Sequence, residues 1–286
     1  MNQPALDGTS QPAGLRRKAR YRYFGACLNQ LLGRRADAER LCRRALDLCD
    51  YTKAYQLLSQ LTLPGEHYFT VLARVHELLR PATYLEVGVS RGESLRLVRP
   101  QTLALGIDPQ PRVGFALTPN QKVFAQTSDE FFARPDVSAL LGGQPLDMAF
   151  IDGMHHFEYA LRDFINIEPL CRPGSRVFIH DCFPIDARSA ARDQTTAFWS
   201  GDIWRLVVLL KKYRPDLAIH TLGAPPTGLG LITRLDPRSS VLRGRLPELI
   251  AEGLALDFSA IAPRRAEALN LVPYDWSRVR QLLDAR

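Results

Sequence analysis

Apolar residues change their spacing at Pro64-Gly65. Before that point Leu28, Leu31, Leu32, Ala38, Leu41, Ala45 and Leu46 recur roughly every three or four residues, as on one face of a helix. Gly33 interrupts the run, so residues 23–63 are expected to fold as one helical hairpin, a cap packed on the rest of the chain. Partner binding is the lesser alternative. "EHYFTVLARVHELL" reads as a helix stopped by Pro81, and "ESLRLV" as a short one. "TYLEVG", "TLALGID", "KVFAQ", "LDMAFID" and "SRVFIHD" are runs of strand length. Between them lie "SDEFFARPDVSALL", a helix interrupted near Pro135, and a helix from about His156 to Leu170. "DIWRLVVLLKKY" is a further helix, with Asp202 as its expected cap. "LAIHTLG" and "GLGLITRL" suit a closing hairpin, and the tail from Leu246 is helical in pattern. Short apolar strands alternating with helices predict an α/β fold with a mostly parallel sheet covered on both faces.

Composition narrows the class. No apolar run approaches the roughly 18 residues that a membrane span needs. The opening "MNQPALDGTSQPAG" lacks the apolar core of a signal peptide. The net charge of +7 is concentrated early: Arg16, Arg17, Lys18, Arg20 and Arg22 against Asp7 give residues 1–22 a charge of +4. That stretch is expected to be a basic disordered tail. The remainder is close to neutral, which argues against nucleic acid as a partner. Five cysteines (27, 42, 49, 171, 182) form no CxxC pair. They read as reduced thiols in a cytoplasmic protein.

Ligands of open parallel sheets bind beyond the carboxyl ends of the strands. Four strands here end in acids: Glu86, Asp108, Asp152 and Asp181. The first turn reads E-x-G-x-S-x-G, with Ser90 where a dinucleotide site would place its second glycine. That departure counts against a nicotinamide oxidoreductase. Gly88 and Gly92 allow a tight bend, and an acidic mouth suits a cationic ligand. Asp108 is placed to accept from a ribose diol. Ser128 and Asp129 are candidates for an adenine edge.

With these residues assembled, "YLEVGVSRGES", "GIDP" and "FIDGMHHFEYALRDF…PGSRVFIHDC" resemble class I S-adenosylmethionine-dependent methyltransferases. The nearest group is the small-molecule O-methyltransferases with a D-G-x-H segment. The resemblance covers residues 65–235. It implies a Rossmann-like, doubly wound, seven-stranded sheet whose last strand is antiparallel. It also implies a cofactor site at Glu86, Gly88, Gly92 and Asp108, to which spacing adds Ser90, Ser128, Asp129 and Asp152. The domain expected on this basis is 64–236, followed by a helical extension over 237–286 packed on it. Homo-oligomer contacts would fall to the N-terminal helices.

Strands four and five should lie about 4.8 Å apart, and two carboxylates so close repel unless a proton or cation stands between them. Metal-dependent members of the group hold magnesium with two Asp and one Asn. Asp152 and Asp181 match the acids, while Cys182 stands at the Asn position, a poor ligand for a hard cation. Magnesium or another divalent cation is therefore left open. His155 takes the place of a lysine base and is a candidate general base for a hydroxyl; a helix-start histidine bonded to backbone is the equal alternative. His156 is given no chemistry, and His180 is expected to face the opposite side as a core residue. Phe183 to Phe198 reads as an irregular connection beside the acceptor, a candidate lid with Arg188, Arg192, Phe198 and Trp199 over the substrate. The expected activity is methyl transfer to a small-molecule hydroxyl, with Asp152, His155 and Asp181 on the acceptor side. A non-haem iron oxygenase is poorly mimicked by Asp152, His155 and His180. The main alternative is a non-catalytic partner-binding protein with the same fold.

Overall fold

The computed structural model describes residues 12–284. The chain begins with three helices, α1 (Ala13–Leu31), α2 (Arg35–Leu46) and α3 (Thr52–Thr62), where one hairpin was expected. Residues 13–22, expected as part of a basic tail, belong to α1; residues 1–11 lie outside the described residues. The cause is that α1 docks through small residues. Ala19 and Ala26 are fully buried, so the backbones of α1 and α2 can approach closely while the arginines stay in water. Phe24, Leu28 and Leu31 remain exposed on α1. This unit packs through Tyr55 and Leu58 onto Ile185 and Phe198 of the long connection.

Helix α4 (Tyr68–Leu79) leads into β1 (Thr83–Val87), β2 (Leu103–Asp108) and β3 (Gln121–Ala125). Short helices α5 (Ser128–Phe132) and α6 (Val137–Leu140) flank the expected break at Pro135. Next come β4 (Leu146–Ile151), α7 (Phe157–Ile167), β5 (Cys171–His180), α8 (Trp204–Tyr213), β6 (Ala218–Leu222) and β7 (Leu229–Thr233). The chain closes with α9 (Leu246–Ala255), α10 (Arg265–Ala268), β8 (Leu271–Val272) and α11 (Trp276–Asp284). "ESLRLV", expected as a short helix, makes only a 3-10 turn over Leu95–Leu97.

The sheet order is β3-β2-β1-β4-β5-β7-β6-β8. Pairing is parallel except where β7 runs antiparallel between β5 and β6. The Rossmann-like order is as expected, with one addition. The two-residue β8 joins β6 in parallel, so the described sheet has eight strands rather than seven. The C-terminal segment is thus built into the sheet domain. Strand alternation separates two cores: Leu85, Ala149 and Ile151 pack toward α7 and α8, while Tyr84, Met148 and Phe150 pack toward α4 and α11. Order reverses between β1 and β4, which opens a crevice at their carboxyl ends. Among the described residues no helix is long and apolar enough to cross a membrane.

Residues 183–198 carry no helix or strand, as expected, but they are anchored and not a loose flap. Phe183, Ile185, Ser189 and Ala190 are buried, and Ser200 N–H and Oγ both donate to Ser189 O. Asp202 also departs from expectation. Ile203, not Asp202, stands at the N-cap of α8. The Asp202 carboxylate instead accepts from Phe157 N–H (2.8 Å), at the first residue of α7, and meets Arg192 and Arg205 at 3.2 and 2.9 Å. A buried acid at the positive end of α7 fixes where that helix begins. Its own N–H donates to His155 O at 3.1 Å. Next to it Gly201 has φ +62°, and a Cβ there would meet His155 O at 1.9 Å. The segment before α7 is therefore clamped from outside.

Asp202→Ala would leave two guanidiniums and a helix N-terminus facing a cavity. It is expected to lower unfolding free energy by about 3–5 kcal/mol, measured by urea denaturation, with Asp202→Asn losing less. A loss below about 1 kcal/mol would show that the clamp is dispensable.

Candidate active site

Gly88 fixes the crevice. It follows β1 with φ +93°, and a Cβ there would lie 2.0 Å from Asp152 O. The ends of β1 and β4 therefore touch backbone to backbone, tied by Asp152 N–H to Val87 O at 2.8 Å. Ser90 is also left-handed, at φ +47°, and its N–H donates to Asp108 Oδ2 at 2.8 Å. Gln110 N–H donates to Asp108 Oδ1 at 2.7 Å. Both oxygens are oriented by backbone while keeping lone pairs for a further donor.

A cavity of about 680 Å³ occupies this crevice. Gly88, Ser90, Asp108, Ser128, Asp129 and Asp152 all line it. Asp129 is already paired with Arg162 at 2.8 Å. Two expected cofactor residues do not reach the cavity. Gly92 meets Phe115 instead. Glu86 is wholly buried beneath the crevice, accepting from Tyr84 OH at 2.7 Å and Ser94 Oγ at 2.9 Å. Burial raises its carboxyl to about 8, against the lowering effect of those two hydroxyls. The acid at the rim that sequence reasoning missed is Glu93. Asp163, also missed, lines the wall beside Ser128, and burial raises it to about 7.

At the ends of β4 and β5 the two expected acids meet an unexpected histidine. His180 Nδ1 lies 3.2 Å from Asp152 Oδ1 and 3.4 Å from Asp181 Oδ2. Burial alone would lower its pKa, but Asp181 and Asp152 outweigh that and raise it to about 10. Asp181 is correspondingly pulled down by His180 and His155 against the opposing effect of burial. Thr227 Oγ1 donates to Asp181 Oδ1 at 2.5 Å and lies 3.4 Å from His180 Nε2. His180 stacks on Tyr68 at 4.0 Å between centroids, on the α4 side of the sheet. The expectation that it faced away from Asp181 fails because Asp181 is left-handed, with φ +62°. Strand alternation stops there, and the carboxylate turns back toward the imidazole.

His155 completes the cluster. Its Nδ1 is 3.3 Å from Asp181 Oδ2 and its Nε2 4.0 Å from Asp152 Oδ1. The ring stacks on Trp199 at 5.0 Å. His156 turns away, with Nε2 3.1 Å from Arg192 O. Cys182 is buried with Sγ directed to Ile179 O at 3.4 Å, so it faces the core. Arg192 is bound to Glu158 and Asp202, and Arg188 reaches Leu46 O, so neither covers the cavity.

On the far side of His155 and His180 lies a second cavity of about 790 Å³. Its walls include Gln56, Ser59 and Gln60 of α3, then Phe198, Trp199 and Thr227. Ser59 Oγ donates to Pro226 O at 2.6 Å and joins α3 to the β6–β7 turn. Phe198 and Trp199, expected beside the substrate, line this cavity; the α3 residues were not anticipated, although Thr52, Gln56, Ser59 and Gln60 fall on one face of a helix.

A family model described as a methyltransferase domain matches residues 85–182, the span from β1 through Cys182. Over that span the chain is similar to a methyltransferase domain. No curated protein matches it. Among solved structures, TomG of Streptomyces achromogenes, an O-methyltransferase in complex with SAM, is 18% identical, with 59% of this chain and 80% of that chain covered and a TM-score of 0.45. The SAH-bound methyltransferase PaMTH1 of Podospora anserina is 13% identical over 59% of this chain and 78% of that chain, with a TM-score of 0.44. MycE, of the mycinamycin biosynthetic pathway, solved with Mg and SAH, is 16% identical over 60% of this chain and 50% of that chain, with a TM-score of 0.41. Likeness at this level carries no residue correspondence.

Glu86 supplies a pH test of the burial pattern beneath the crevice. The folded state holds its proton to about 8, against an ordinary value of 4.5. Its contribution is therefore full below the ordinary value and is lost as pH rises through the folded one. Glu86→Gln should gain thermal stability relative to the parent as pH rises from about 5 to about 9. A difference in melting temperature that stays constant over that range would contradict the burial.

Proposed function

We propose that the protein transfers the methyl group of S-adenosylmethionine to a hydroxyl of a small molecule, with the crevice cavity for the cofactor and the α3-walled cavity for the acceptor. The observation that carries this reading is that both cavities share His155 and His180, with Asp152 on one side and Asp181 on the other. Glu93, Asp108 and Asp152 make the first cavity acidic, which suits a ligand with an ammonium and a sulfonium. Asp108, oriented by two backbone N–H groups, would accept from the ribose diol. Ser128 and Asp129 stand where an adenine edge would reach.

In the reaction the acceptor oxygen forms a bond to the methyl carbon as the carbon–sulfur bond breaks, and the sulfonium becomes a neutral thioether. Alignment of oxygen, methyl and sulfur supplies most of the acceleration. His155 would take the hydroxyl proton. The imidazolium so formed is stabilised by Asp181, 3.3 Å from Nδ1. Trp199 stacks on the ring and holds its plane. His180 keeps Asp152 and Asp181 from repelling one another.

The same corner fits a divalent cation. Asp181 Oδ2 and His155 Nδ1 are buried without hydrogen-bond partners, and Asp152, His155 and Asp181 offer ligand atoms within 4.8 Å of one another. These three residues would hold the ion, magnesium or a softer metal, since one imidazole nitrogen joins two carboxylates. When bound, it would acidify a coordinated hydroxyl.

Calorimetry with S-adenosylhomocysteine should detect binding, and Asp108→Ala should weaken it about tenfold or more. His155→Ala should keep that binding while lowering turnover of an acceptor found by methyl-label screening by about 10²–10⁴-fold. Unchanged turnover in His155→Ala would remove the base assignment. Absence of cofactor binding would remove the whole reading.

A further inference from the structure

The acceptor cavity does not end at α3. A further recess of about 680 Å³ is lined by Arg16, Arg17, Arg20 and Lys53, with Asp50 as its one acid among the described residues. Thr52 and Ala197 line both this recess and the acceptor cavity, so the two adjoin. The Asp50 carboxylate accepts from Ala197 N–H at 2.8 Å through Oδ2, while its Oδ1 is buried without a hydrogen-bond partner. Helix α3 starts at Thr52, and its N-cap residue Tyr51 supplies no side-chain hydrogen bond. The positive end of that helix therefore faces the same recess. Arg17, Arg20 and Lys53 against the one carboxylate leave the recess net positive, a concave anion site whose inner edge is the outer edge of the acceptor cavity.

We infer that the acceptor carries a phosphoryl or diphosphoryl group, seated among Arg17, Arg20 and Lys53 while its hydroxyl lies at His155. This rests on the reading of the α3-walled cavity as the acceptor site. The guanidiniums of Arg17 and Arg20 favour phosphate over carboxylate, because planar donors meet several oxygens at once. The positive charge is local: outside residues 1–22 the chain carries only +3, and the recess is concave. A single small polyanion fits this better than a nucleic-acid or membrane surface. Residues 52–60 of α3 then do two jobs, since Thr52 and Lys53 meet the anion and Gln56 and Gln60 meet the hydroxyl-bearing part.

The test uses the full chain saturated with S-adenosylhomocysteine at low ionic strength. Inorganic pyrophosphate is titrated by calorimetry into the parent and into Arg17→Gln/Lys53→Gln, a pair of exposed side chains whose loss leaves the folded core intact. Binding to the parent and a loss of about tenfold or more in the double variant are expected, with S-adenosylhomocysteine affinity unchanged. A paired set of sugar phosphates, nucleoside diphosphate sugars and hydroxyphenyl phosphates, each beside its dephosphorylated form, is then compared by thermal shift. At least one phosphorylated member should stabilise the protein more than its partner, and the double variant should abolish the difference. Three results overturn the inference. They are no pyrophosphate binding, binding indifferent to the double substitution, or no phosphorylated member exceeding its partner. Tighter, variant-sensitive binding of duplex DNA or of phosphatidylglycerol vesicles than of any small phosphate also overturns it. Failure of S-adenosylhomocysteine to bind would strike the methyltransferase reading instead.

Discussion

Two carboxylates on neighbouring strand ends set the constraint around which this molecule is arranged. Asp152 and Asp181 both approach one imidazole, that of His180, at 3.2 and 3.4 Å. Acids this close repel unless a proton or a cation stands between them, and His180 meets that need from within the fold. Its ring is wedged against Tyr68 and its second nitrogen lies near Thr227. The cluster is therefore tied to α4, to both strands and to the β6–β7 turn at once. Any ligand that reaches His155 from either side meets a field already fixed by these groups.

That fixed point lies where the sheet and its additions meet. The sheet lines the crevice cavity through its strand ends, where Gly88 brings β1 against β4. The second cavity is walled by elements far apart in the chain: α3, the 183–201 connection and the β6–β7 turn. Asp202 and Gly201 secure the joint between them by holding the backbone of His155. The N-terminal helices thus form a wall of the second cavity as well as a cap.

Much of the crevice was legible in the sequence because strand ends are local features. An apolar run followed by an acid reports both the strand and the position of its carboxylate, as at Asp108, Asp152 and Asp181. Glu86 was misplaced for a related reason. It precedes the glycine turn and still obeys strand alternation, which sends it inward toward Tyr84 and Ser94. His180 escaped because a single left-handed residue, Asp181, ended the alternation on which its orientation was inferred. Asp202 was read as capping the helix that follows it, whereas its partner lies 45 residues away. Arg16, Arg17 and Arg20 were read as a solvated tail because charge masked a helix whose fully buried side chains are only Ala19 and Ala26, with Tyr23 and Cys27 packed beside them.

The most direct measurement of the two-cavity arrangement is a crystal structure of the protein bound to S-adenosylhomocysteine. The account predicts the ribose on Asp108 and the sulfur at the passage between the cavities, facing His155 and the α3 wall. A ligand seated in the α3-walled cavity, or one whose sulfur points away from His155, would contradict it.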